Sequence, residues 1–103
     1  MLPEIDYKHP GGKLVELGAE SLSDEEILSI LIGSGTNGHS AEDIAHEMIE
    51  EYGSIPGMYG EAMEKFLKFK GLGDVKIIRL AAAFELARRA APYVDRNPQI
   101  PLL

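Results

Sequence analysis

The chain has 103 residues, 45% of them apolar and 26% charged, which suits one globular core and excludes a disordered tail. It contains no cysteine, which excludes disulfide scaffolds, thiolate metal sites and cysteine nucleophiles, and no apolar run near the ~20 residues that cross a bilayer. The net charge of −7 is polarised: residues 1–64 hold fourteen Asp/Glu against Lys8 and Lys13, whereas residues 65–103 hold eight Lys/Arg against Asp74, Glu85 and Asp95. An acidic chain repels nucleic acid as a whole, yet this polarity leaves room for a local basic face. The first residues lack both the basic start and the apolar stretch of a secretory leader, so a cytoplasmic, non-membrane location is expected.

Gly and Pro punctuate the chain. Residues 1–12, with Pro3, Pro10, Gly11 and Gly12, read as an extended arm, and a short helix over 13–17 stops at Gly18. Ser23-Asp24-Glu25-Glu26 is a capping box, and its acids also suit the positive end of a helix. The helix it opens, with Ile27, Leu28, Ile30, Leu31 and Ile32, is apolar on most sides and is expected at the centre of a bundle. Ser40 and Asp43 open the next helix, where Ala41, Ile44, Ala45, Met48, Ile49 and Tyr52 form one stripe opposite an acidic face, and Gly53 ends it.

Residues 54–59 read as a turn or single helical turn interrupted by Pro56 and Gly57, and 61–69 as a short helix. Residues 74–91 form the longest helix, rich in alanine, and Pro92, Pro98 and Pro101 mark 92–103 as a linker. The predicted fold is therefore all-α: a compact bundle of about five short helices over 13–91.

The segment Lys70-Gly71-Leu72-Gly73-Asp74 joins two of these helices and resembles a helix-hairpin-helix turn. Two glycines can take positive φ and leave the backbone bare, so that a phosphate can approach the N–H groups of the turn and of the helix that follows. Leu72 would wedge between the helices, while Lys70, Lys76 and Arg79, with Lys68 at the edge, would contact neighbouring phosphates. Such contacts read no bases, so binding would be sequence-independent and steeply salt-sensitive. The same turn also serves as a plain connector of an antiparallel helix pair. Gly33-Ser34-Gly35 repeats the pattern 38 residues upstream, where a degenerate second hairpin would let each helix pair bury the other's apolar face.

Other chemistry is poorly supplied. Glu42, His46 and Glu50 share a helical spacing but have no second element in view to complete a metal site, and a solvated acidic face is the simpler account. No Gly-x-Ser-x-Gly elbow occurs, and Gly33-Ser34-Gly35 with Gly38 lacks the lysine of a nucleotide phosphate loop. No enzyme activity, metal or cofactor is expected.

The ordered set Gly18-Ala19-Glu20-Ser21-Leu22-Ser23-Asp24-Glu25-Glu26-Ile27-Leu28, Gly35-Thr36-Asn37-Gly38-His39-Ser40, Tyr52-Gly53-Ser54-Ile55, Lys70-Gly71-Leu72-Gly73 and Glu85-Leu86-Ala87-Arg88-Arg89 resembles the N-terminal region of the RadC family, also called UPF0758, over roughly 10–92. That resemblance implies a helical domain with a helix-hairpin-helix element, carried ahead of a C-terminal JAB/MPN-type metal domain, in a family historically linked to DNA repair. The metal motif, His-x-His-Pro followed by Ser-x-x-Asp, has no counterpart here, since Tyr7-Lys8-His9-Pro10 lacks the first ligand and Ser21-Leu22-Ser23-Asp24 follows at the wrong spacing. Ile77 stands where the hairpin motif usually has a small alanine, and Gly33, Asn37 and His39 occupy a turn that often carries Arg or Lys. The expected function is a non-catalytic DNA-binding module acting on the DNA backbone. The rival is a protein-interaction or regulatory domain whose acidic face (42–51) or alanine-rich helix docks another protein or the JAB/MPN-like domain.

Overall fold

The computed structural model describes residues 9–96, with nothing assigned to the side chain of Asp95. Five α-helices run in order: α1 (Pro10–Leu17), α2 (Asp24–Ile32), α3 (Ala41–Tyr52), α4 (Ile55–Met58) and α5 (Asp74–Arg96), with 3₁₀ segments at Ala19–Ser21 and Met63–Lys68. Among the described residues the one extended pairing is a single bridge between Thr36 and His39. The fold is all-α, as the periodicities require.

Both capping boxes form. Ser23 Oγ accepts from the Glu26 N–H at 3.2 Å while the Glu26 carboxylate accepts from the Ser23 N–H, and Ser40 and Asp43 exchange the same pair of bonds at the start of α3. Gly53 ends α3 in the left-handed conformation, φ +82, donating to the Ile49 carbonyl. Along α3, Ala41, Ile44, Ala45 and Met48 are buried, and Glu42, Asp43, His46, Glu47, Glu50 and Glu51 are exposed, so the expected stripe and its acidic back are both in place. Leu28 and Ile32 of α2, Met58, Phe66, Phe69, Leu72, Ile77 and Leu80 complete the core.

Five boundaries or faces differ from the sequence expectation. The expected arm over 1–12 gives way to helix at Pro10, where a ring with fixed φ and no N–H suits the first helical turn and Lys13 N–H bonds to His9 O at 2.9 Å; residues 1–8 lie outside the described ones. The segment before the hairpin is not α-helical. Its i→i+3 bonds (Lys65 N to Ala62 O, 3.0 Å; Phe69 N to Phe66 O, 3.2 Å) place Phe66 and Phe69 on the same side, both buried against Tyr52 at 5.5 and 6.2 Å between ring centres. Pro56 sits in the first turn of α4, whose N-cap is Ser54, and so begins that turn rather than breaking it. Pro92 does not stop α5, which continues one turn to Arg96 on an exposed stretch, while 97–103 lie outside the described residues.

The burial of α2 is also partial. It touches α1, α3 and α5, but Ile27 and Leu31 stay exposed, because its three neighbours cover only the sides that carry Leu28, Ser29 and Ile32.

Candidate nucleic-acid interface

The bend between the Met63–Lys68 segment and α5 is built around Leu72, which is buried and donates its N–H to Phe69 O at 3.0 Å. Gly71 alone of the two bend glycines takes positive φ, +90, and it does so against other parts of the fold: a Cβ there would lie 2.8 Å from Ile44 Cδ1 and 3.5 Å from Thr36. Gly73 has ordinary φ and open space around it, so its lack of a side chain leaves the approach to α5 bare.

The first helical bond of α5 runs from Ile77 N–H to Gly73 O at 3.0 Å. The N–H groups of Asp74, Val75 and Lys76 take no backbone partner among the described residues. They are the orphan donors of a helix start. At α2, α3 and α4 a serine side chain accepts from such a donor, whereas Gly73 has nothing to offer.

The four basic side chains divide into two pairs. The ammonium of Lys76 turns inward, donating to Ser34 O in the upstream turn and to Gly71 O at 3.3 Å. It therefore staples the two glycine turns together, and the repeat seen 38 residues apart in the sequence becomes a contact. Lys68 Nζ lies 3.0 Å from Glu51 Oε2 and 5.4 and 5.5 Å from the ring centres of Tyr52 and Phe69. Its hydrogen bond to Glu51 holds the ammonium above its ordinary pKa. Lys70 and Arg79 are exposed and form no ion pair among the described residues. The bend thus carries N–H groups without a backbone partner and two exposed cations that form no ion pair among the described residues, with the other two engaged by the protein itself.

Sequence reasoning missed Ser34 and Glu51, the acceptors that engage Lys76 and Lys68. The Gly-x-Gly echo at 33–35 was the one signal that pointed to Ser34; for Glu51 there was none.

On the acidic back of α3, His46 Nδ1 lies 2.9 Å from Glu25 Oε1 and its Nε2 3.8 Å from Glu50, and the bond to Glu25 raises its pKa above 6.5. Among the described residues no three His, Asp or Glu side chains gather as a metal site, and no helix is long and apolar enough to cross a membrane. His39 Nε2 is 3.0 Å from Glu47 Oε2, although the alignment is not that of a hydrogen bond.

Comparison with known proteins places this geometry in context. The family described as UPF0758 N-terminal matches residues 5–78. A UPF0758 protein of Alteromonas mediterranea is 37% identical over 80% of this chain and 36% of its own length. Those of Shewanella amazonensis and Cupriavidus necator are each 40% identical, over 80% and 88% of this chain and 36% and 40% of theirs. The chain thus spans little more than a third of the length of these relatives. No solved structure matches it. The chain belongs to the UPF0758 family, and corresponds to the N-terminal part of its members.

Proposed function

We propose that this domain is a non-catalytic, sequence-independent DNA-binding module whose phosphate seat is the start of α5. The observation that carries the reading is the uncapped helix start: three N–H groups without a backbone partner follow a bare Gly73, and Lys70 and Arg79, close to them in sequence, are exposed. An oxyanion seated there would accept from the amides, gain from the positive end of the helix, and meet one cation on either side of the bend. Arg79 offers a fork to a neighbouring phosphate and Lys70 a point charge. Gly71, Leu72 and Lys76 act on the shape of the bend, and Lys68 would join the contact only by leaving Glu51. No element presents a side-chain set aimed at base edges, so affinity would come from the backbone and fall with salt.

The test is fluorescence anisotropy with short duplex, junction and single-stranded DNA across a salt series. Wild type should bind at low salt, with Lys70→Glu and Arg79→Glu each weakening all substrates alike and lowering the salt slope by about 1. Absence of binding at low salt, or affinities unmoved by the double substitution, would refute the reading.

A further inference from the structure

The three described methionines converge on one place: Met48, Met58 and Met63 all line a cavity of about 270 Å³ beside α5. Met48 and Met58 are buried and floor it, whereas Met63 is exposed. Phe66, Phe84 and Tyr59 supply aromatic walls. Tyr59 stacks on Phe84, with 4.8 Å between ring centres and 19° between planes, and its hydroxyl donates to the Phe84 carbonyl at 3.1 Å. That wall is therefore fixed to α5 both through its ring and through its hydroxyl.

Thioethers are polarizable, adapt their shape and make favourable contacts with ring edges, so three of them among three aromatic rings suit a planar aromatic guest. A cavity of about 150 Å³ takes benzene, and one of about 270 Å³ takes a body of about ten carbons.

The rim is charged, and its charges do not cancel. Glu61 is matched by Lys65 at 3.0 Å. On the α5 side one carboxylate meets two guanidiniums: Glu85 Oε2 accepts from Arg88 at 2.6 Å and from Arg89 at 2.7 Å, while Oε1 accepts from Arg88 Nε at 2.9 Å. The bonds from Arg88, then from Arg89, lower the Glu85 carboxyl to about 2, so it stays ionised and the trio carries one surplus positive charge. Arg88 spends two of its five N–H donors on Glu85, so its guanidinium can meet a further oxyanion without leaving its partner.

We infer that this cavity is a binding site for a small aromatic monocarboxylate, with the ring body seated on the three methionines and the carboxylate at Arg88. The apolar lining supplies the burial, and the surplus charge selects the anion over a neutral or cationic molecule of the same shape. None of the groups assigned to the phosphate seat takes part, so the two readings stand or fall separately.

The probe is 2-naphthoate, with 2-naphthylmethanol and 2-naphthylmethylamine as its neutral and cationic matches. In the 103-residue chain with carbon-13-labelled methionine methyls, the signals of Met48, Met58 and Met63 should shift together and saturably with 2-naphthoate, with a dissociation constant on the order of 0.1–1 mM. The alcohol should bind roughly three- to tenfold more weakly, and the amine more weakly still. Arg88→Gln alters an exposed side chain and leaves Glu85 to Arg89; it should cost the carboxylate roughly three- to tenfold and leave the alcohol unmoved. Ala81→Phe fills the half-buried lining and should abolish binding of all three probes. Circular dichroism shows whether that variant folds, and Arg88→Gln decides the matter if it does not. The inference is overturned by any of four results: no saturable methionine shift at about 10 mM 2-naphthoate, equal affinity for the three probes, a carboxylate affinity unmoved in Arg88→Gln, or a folded Ala81→Phe that binds as wild type does.

Discussion

Gly71→Ala is the sharpest probe of the bend. The backbone there sits at φ +90, where a side chain costs roughly 1–2 kcal/mol, and the new Cβ would lie 2.8 Å from Ile44 Cδ1. Ile44 is fully buried, so its terminal methyl has to shift within a packed core, and overpacking of this kind adds about 1–3 kcal/mol. A loss near 3 kcal/mol corresponds to a fall in Tm of roughly 12–24 °C for a domain of this size. Gly73→Ala, two residues on, has ordinary φ and meets nothing within 4 Å. There a poorer helix cap is offset by reduced freedom of the unfolded chain, and the change stays within about 1 kcal/mol. Urea unfolding followed by far-UV circular dichroism measures both. Equal losses for the two variants, or a loss below about 1 kcal/mol for Gly71→Ala, would show that the bend does not rest on Ile44 and Thr36 as described.

The lysine staple gives a second prediction: Lys76→Met should lower stability by about 0.5–1.5 kcal/mol in the same assay, since it removes the donor to the carbonyls of Ser34 and Gly71, and an unchanged midpoint would show the staple to be idle. His46 provides a pH signature. Its hydrogen bond to Glu25 raises its pKa above 6.5, so the stabilising contribution is complete below the unfolded value and is lost as pH rises through the folded one. NMR titration should place the imidazole above its ordinary value in wild type and bring it down in Glu25→Gln, and the urea midpoint should fall as pH rises from the unfolded-state value through the folded one in wild type only. A His46 titration indifferent to Glu25→Gln would remove the pair from the account.

What could be read from the sequence was what is decided within a few residues. Ser23 with Glu26, Ser40 with Asp43, the α3 stripe and the Gly53 stop are all local rules, and each reappears in the structure. Three local rules were overridden by their surroundings. Pro10 and Pro56 look like breakers but stand in first turns, where no N–H is needed, and Pro92 falls so near the end of α5 that a single exposed turn follows it. Periodicity placed Val75, Ile78, Ile27 and Leu31 among the apolar residues of their helices without revealing that their neighbours cover the opposite sides. At the candidate site, the Gly-Leu-Gly turn and the wedge of Leu72 were legible. The allegiance of each lysine was not, because Glu51 lies 17 positions from Lys68 and Ser34 lies 42 positions from Lys76. Counting charges along a chain cannot distinguish a lysine that waits for a ligand from one that holds the fold.

The staple at Lys76 also joins the two parts of the polypeptide that differ most in charge. Gly71 rests on Thr36 and Ile44, Lys68 meets Glu51, and Lys76 reaches Ser34, so the seam between the acidic and the basic portions is itself a set of complementary contacts. A nick near Gly60, in the exposed stretch between them, would yield two fragments with opposite charge and matching surfaces.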